Sequence, residues 1–219
     1  MKLIKFFTIM IVIMTVYTAA CSEKTYQIGD VGPAGGTIFY DKGKKTEGWR
    51  YLEAAPADTE FSCNWQDRFF DDGNKIISGT KTEIGTGKAN TKLIVNYFKT
   101  NNLEYDTSAA VLCANLKVGE YADWFMPSQD ELNLMYENLH KQGLGGFQTT
   151  ETEPYSYETE DGGEFVEGYG EFYFSSSLCS SCEYGDGRHV WAQDFGLNYG
   201  HQFEYDKFNT IFVRAIRAF

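Results

Sequence analysis

Ser128-Gln129-Asp130-Glu131-Leu132-Asn133-Leu134-Met135-Tyr136-Glu137-Asn138-Leu139-His140-Lys141-Gln142-Gly143 (residues 128–143) carries the clearest local instruction in the chain. Ser128 and Glu131 have the spacing of a capping box, in which the serine oxygen accepts a first-turn amide and the glutamate reaches back. Leu132, Met135, Tyr136 and Leu139 then recur on one helical face, and Gly143 after His140-Lys141 suits a helix end. Outward from this helix, Asn90 or Thr91 can cap a second one carrying Leu93, Ile94, Tyr97 and Phe98. A third begins near Asp106-Thr107, with Ala109, Ala110, Leu112, Cys113 and Leu116 on one side. Strands flank the helices. Thr37–Tyr40 and Trp49–Glu53 read as partners, and Val213-Arg214-Ala215-Ile216-Arg217-Ala218-Phe219 alternates as a closing strand with Val213, Ala215, Arg217 and Phe219 on one face. Residues 57–85 show no sustained period and read as loop. The chain therefore reads as α+β.

The N-terminus reads as an export signal. Lys2 and Lys5 precede an apolar run from Phe6 to Tyr17, which is shorter than the roughly 20 residues a membrane span needs. Thr18-Ala19-Ala20-Cys21 resembles a lipobox, lacking only Leu at the third position before the cysteine, as spirochaetal lipoproteins permit. This predicts a signal peptide over 1–20, lipidation at Cys21, a tether over 21–27 and a single domain over 28–219. Removing residues 1–20 leaves 17 basic against 31 acidic residues, a net charge of −14. Such a balance argues against nucleic acid and against an anionic membrane surface, since phosphate binding needs clustered Lys and Arg, and leaves the lipid anchor as the expected membrane contact.

Cys63, Cys113, Cys179 and Cys182 remain, and an even count in an exported protein predicts disulfides with three possible connectivities. The favoured pairs are Cys63–Cys113 and Cys179–Cys182. The spacing lacks the second C-x-x-C of a zinc site, so no metal is expected. Asp71-Asp72-Gly73-Asn74 reads as a turn, not a calcium loop. Ile84-Gly85-Thr86-Gly87-Lys88 lacks the first glycine and the final Ser or Thr of a phosphate loop. Gly32-Pro33-Ala34-Gly35-Gly36 precedes a strand, where a dinucleotide fingerprint would precede a helix. His140, His189 and His201 have no metal-ligand spacing, and no carboxylate pair stands out for acid–base work. Residues 142–187 hold ten acids and no Lys or Arg, a solvated block. From His189 to Phe212 the texture changes to seven aromatics with neither strand nor helix period.

Several ordered blocks resemble a widespread family of bacterial surface domains: Ile28-Gly29-Asp30-Val31-Gly32-Pro33-Ala34-Gly35-Gly36-Thr37-Ile38-Phe39-Tyr40, Gly48–Pro56, Ile84–Thr91, Asp123–Leu132, Phe174–Ser177, Trp191–Phe195 and Val213–Phe219. That family includes the C-terminal domain of the Legionella collagen-like adhesin and, closer still, treponemal variable proteins diversified by a diversity-generating retroelement. The resemblance spans residues 28–219. It implies the C-type lectin-like fold in its formylglycine-generating-enzyme variant, with small antiparallel sheets, a few helices and long loops. It also implies a tail rewritten at exposed positions by mutagenesis of template adenines. An A-A-C or A-A-T codon randomised at both adenines cannot yield Gln, Glu, Lys, Met or Trp. Ala192, Asp194, Leu197, Tyr199, His201, Phe203, Tyr205, Asp206, Phe208, Asn209, Ile211 and Phe212 are reachable; Trp191, Gln193, Gln202 and Lys207 are not and should be scaffold. Glu204 departs from the rule. Two features differ from the family: Tyr173-Phe174 where Tyr-Trp is usual, and an acidic stretch near 151–172 that looks inserted. Cys179-x-x-Cys182 does not align with the reactive cysteines of the formylglycine-generating enzymes, so no catalytic role carries over.

The expectation is a lipid-anchored, monomeric protein at the outer membrane or cell surface. It binds a protein or glycan ligand through a variable face within about 183–212, on a scaffold held by Trp49, Trp124 and Trp191, with no cofactor. Exposed aromatics on a fixed backbone bury large area at little entropic expense. The alternatives are an invariant glycan or host-matrix adhesin and an enzyme of the formylglycine-generating type.

Overall fold

The computed structural model describes residues 24–66, 77–101, 103, 106–148, 155–158, 164–167, 171–179, 187–196 and 200–219. The expected signal peptide, Cys21, the turn at 71–74, Cys182, Leu197 and Tyr199 lie outside them. Among the described residues the chain is α+β, and no helix is long and apolar enough to cross a membrane.

Strands β1 (Thr37–Thr46), β2 (Trp49–Ala54) and β10 (Ile216–Ala218) form one antiparallel sheet in the order β1-β2-β10. Strands β3 (Phe61–Asn64), β6 (Phe172–Leu178), β7 (His189–Asp194), β8 (Gln202–Asp206) and β9 (Thr210–Val213) form a second, in the order β3-β9-β6-β7-β8. β4 (Tyr155–Glu158) and β5 (Glu164–Glu167) pair as a separate hairpin. The helices are α1 (Gly87–Thr100), α2 (Ala109–Asn115) and α3 (Gln129–Asn138).

Successive side chains of the five-stranded sheet enter two different cores, as a period of two requires. Phe174, Val190, Ala192, Ile211 and Val213 join Ile94 and Phe98 of α1 and Ala110 and Cys113 of α2. Tyr173 joins Leu132, Met135 and Tyr136 of α3, Phe39 and Leu52 of the smaller sheet, and Phe195.

The capping box forms as expected: Glu131 N donates to Ser128 Oγ at 3.3 Å, and Ser128 N donates to Glu131 Oε2 at 2.7 Å. The other helix starts move. Asn90 and Thr91 lie inside α1, 2% and 3% exposed, because their side chains serve distant backbone. Asn90 bonds both the amide and carbonyl of Lys81, while Thr91 donates to Gly87 O and accepts from Met126 N. The second helix starts at Ala109, after an extended Ser108.

The segment read as loop over 57–85 contains β3, which pairs with β9. It also contains Trp65, the fully buried tryptophan, whose indole N–H donates to Ser175 O at 3.0 Å. Trp49 and Trp191 are only half-buried. Trp65 and Trp124, not Trp49 and Trp191, are therefore the buried tryptophan anchors. The single closing strand becomes two. β9 ends at Val213, β10 starts at Ile216, and the chain passes from one sheet to the other at Arg214-Ala215.

Candidate functional site

Two buried arginines fix the crossover on which the tail depends. Arg214 Nε donates to Glu60 Oε2 at 2.8 Å, and its Nη atoms reach the carbonyls of Ala55, Gly145 and Gly146. Tyr173 Oη donates to the same Glu60 oxygen, and burial pushes its ionisation up. Arg217 bonds Asp123 at 2.9 and 3.1 Å and Glu53 at 3.2 Å. Both arginines meet the requirement that a buried charge be paired. Alternation alone had given only Arg217 a face, and the acidic partners lie too far away in sequence to be read from it.

The glycine-rich stretches that suggested phosphate loops hold carboxylates of the chain itself. Ala34 N and Gly36 N donate to Glu53 Oε1 at 3.1 and 2.9 Å. A Cβ on Gly36 would stand 2.0 Å from Ala54 O, so only glycine allows this approach. Gly85 N donates to Glu131 Oε1 at 2.8 Å, and a Cβ on Gly87 would meet the other oxygen of Glu131 and Met126 O. Backbone amides of a turn that converge on one carboxylate make an anion seat; here, with Gly35 N bonded instead to Gly32 O, alternate amides meet an anion that is internal. Burial nevertheless raises both carboxyls above the usual range.

Ser175, Ser176 and Ser177, all fully buried, tie β6 to its surroundings. Ser175 Oγ donates to Trp191 O, Ser176 Oγ to Pro127 O, and Ser177 Oγ to Lys81 O, at 2.7–2.9 Å. Next to them Gln193 donates to Asn133 and Gly200 O, and Gln202 to Gln129 O. Gln193 and Lys207 are buried. Three of the four positions assigned to scaffold by codon arithmetic are thus bonded or buried, while Trp191 is half-buried.

β8 is the edge strand of the larger sheet, and its five residues are all half-buried. Phe203 and Tyr205 lean on Phe172, with ring centroids at 4.9 and 5.6 Å, and lie 5.6 Å from each other edge to face. His201 is exposed; Asp194 and Asn209 are half-buried. Asp206 bonds Arg188 at 2.8 Å and accepts Phe208 N at 2.9 Å, setting the turn into β9. Phe212 packs half-buried on Tyr173. Ala192, Phe208 and Ile211 are corrections. They are 1%, 9% and 8% exposed: Ala192 and Ile211 point into the core beneath the sheet, and Phe208, in the turn between β8 and β9, is covered by Arg188 and Lys207.

Cys63 and Cys113 are free thiols in one core, not the bridge expected from counting, and burial pushes Cys63 up to about 12. Cys179 is disulfide-bonded, with its sulfur 3.3 Å from Glu204 Oε1. Among the described residues no group of three or more His, Cys, Asp or Glu is placed to hold a metal. A separate pocket of about 150 Å³ lies between the β1–β2 turn and α1, lined by Glu47, Trp49, Leu52, Lys88, Phe125 and Glu131. No protein-family model matches the chain, and none of the curated proteins matches it.

Proposed function

We propose that this protein is a surface lipoprotein with a C-type lectin-like domain of the formylglycine-generating-enzyme type, diversified at its tail. It binds a protein or glycan ligand through β8 and the turn that follows. The observation that carries this reading is the row formed by Phe172, Phe203 and Tyr205. Phe203 and Tyr205 stand half-open on the edge strand β8 against Phe172 of β6, and Gln202 of β8 and Gln193 of the neighbouring β7 are tied down by hydrogen bonds. Rigid aromatic anchors on a fixed backbone suit protein and glycan contacts, because little rotamer freedom is lost on binding. Asp194, His201, Asp206 and Asn209 supply the polar surround, and Phe212 adds a partly open ring.

A second reading, an invariant glycan adhesin, has its own support in the Trp49 pocket, where an indole borders charged Glu47 and Lys88. An array of host-matrix proteins and glycans separates the two. It is probed with the wild type, a Phe203→Ser/Tyr205→Ser variant and Trp49→Ala. The proposal expects the tail variant alone to lose binding. Loss confined to Trp49→Ala favours the invariant site, and equal binding by all three refutes both.

A further inference from the structure

The two sheets guard their edges differently. β1, an edge of the smaller sheet, carries Lys42, Lys44 and Lys45 and breaks register with β2 twice. β10, its other edge, is three residues long and is covered by Phe125, whose amide and carbonyl bond Ile216 at 2.8 and 2.9 Å. Lysines, irregular register and cover are the usual means of keeping an edge from pairing with another chain. Among the described residues β8 has none of them. Gln202-Phe203-Glu204-Tyr205-Asp206 includes no Lys or Pro and pairs with β7 without a register shift. The register also fixes which backbone groups are open. Asp194 N donates to His201 O and Lys207 N to Arg188 O, both at 3.0 Å, so these are hydrogen-bonded pairs. In an antiparallel ladder such pairs alternate with pairs whose N–H and C=O point away from each other. Phe203 and Tyr205 therefore direct their backbone groups at β7, while Gln202, Glu204 and Asp206 turn theirs outward. Asn209 N takes Asp206 O at 3.1 Å. The amides of Gln202, Glu204 and Asp206 and the carbonyls of Gln202 and Glu204 stay open among the described residues.

We propose that the β8 edge takes an extended, basic segment of a protein ligand as an added strand. This deepens the reading that β8 carries the contact face, and rests on it. Main-chain bonds to β8 do not depend on which side chains the tail displays, so they supply a constant part of the affinity. Phe203 and Tyr205, on the side of the sheet shared with Phe172, choose among partners. The sign of the charge comes from the opposite side. There the Glu204 carboxylate lies against Cys179 Sγ at 3.3 Å, a sulfur and not a cation, so Lys or Arg on the added strand makes a favourable cross-strand pair with it. A second copy of the chain fits worse. Two chains of net charge −12 repel, and a twofold pairing about Glu204 sets that carboxylate against itself.

The test selects a random peptide library on phage against the full chain, then titrates the enriched peptides, made synthetically, by fluorescence anisotropy. They should be rich in Lys or Arg; an acidic consensus overturns the proposal. Glu204→Pro removes an outward amide that β7 does not use, a change that edge strands accept, and circular dichroism checks its fold. Affinity should fall by about tenfold or more for Glu204→Pro, the worth of one or two main-chain bonds, and only a few-fold for Glu204→Ala, which keeps the amide. N-methylation along the peptide should block binding at alternate residues only, a pattern that decides the matter even if Glu204→Pro does not fold. Equal affinity for the Pro and Ala variants, or N-methyl effects without a period of two, overturns the proposal. If Phe203→Ser/Tyr205→Ser still abolishes binding in that case, the contact face stands and only the added strand has failed. A library that yields no peptide preferring the wild type to that double variant also overturns the added strand, and the array of matrix proteins and glycans alone then decides the contact face. A dimer in sedimentation equilibrium that Glu204→Pro dissolves assigns the edge to a second copy and overturns the proposal as well.

Discussion

Glu53→Ala tests whether the glycine-rich turn at residues 32–36 is built around an internal anion. The Glu53 side chain is fully buried and accepts Gly36 N at 2.9 Å, Ala34 N at 3.1 Å and Arg217 Nη1 at 3.2 Å. Each buried amide left without an acceptor costs about 1–3 kcal/mol. Arg217 keeps Asp123 at 2.9 and 3.1 Å, so its charge is not stranded and the full penalty of a broken buried pair does not apply. The expected loss is about 3–5 kcal/mol, a large part of the roughly 5–15 kcal/mol that holds a domain folded. With a urea slope of about 2 kcal/mol/M, the midpoint should fall by about 1.5–2.5 M. Glu53→Gln keeps an oxygen for both amides but turns its amide nitrogen toward Arg217, and should lose less, about 1–3 kcal/mol. Equilibrium urea unfolding followed by far-UV circular dichroism measures both. A shift under about 0.5 M for Glu53→Ala, or a larger loss for Gln than for Ala, would mean that the turn at 32–36 is not held by the Glu53 carboxylate.

Phe203→Ser/Tyr205→Ser removes ring pairs worth about 0.5–1.5 kcal/mol each together with about 1 kcal/mol each of partial burial against the α1–α2 core, and should lower the urea midpoint while leaving the protein folded. Trp65→Ala empties a closed core site and should cost about 3–5 kcal/mol, measured by the same unfolding curves. Glu131 has a folded pKa above its unfolded value. Its contribution to stability is therefore fully present below the ordinary glutamate range and is lost as pH rises through the folded pKa. Glu131→Gln should remove that slope from unfolding midpoints measured across acid and neutral pH. Cys63 and Cys113 should resist a thiol reagent in the native protein and react only after denaturation, as read by mass-mapped alkylation, whereas Cys179 should require reduction first.

What the sequence made legible was local. The capping box at Ser128 and the stripe of Leu132, Met135 and Tyr136 need only neighbours within one helix, and they form as read. β3 was invisible because it exists by pairing with β9, whose residues lie near the other end of the chain. Asn90 looked like a cap because its side chain does bond backbone, but the backbone belongs to Lys81. The glycine motifs could be excluded as phosphate loops from spacing, yet their use as seats for Glu53 and Glu131 depends on packing between elements. In the tail, Ala192 and Ile211 pass the codon filter and are nonetheless interior, since that filter knows nothing of which way a strand residue points, and Phe208 is covered in its turn by Arg188 and Lys207.

The most direct test of a diversified binding face is deep sequencing of this locus in many descendants of one clone. Substitutions should gather at Asp194, His201, Phe203, Tyr205, Asp206 and Asn209, with Gln193, Gln202, Lys207, Arg214 and Arg217 unchanged. A tail identical in every descendant, or changes falling equally on the buried arginines and the half-open β8 positions, would contradict it.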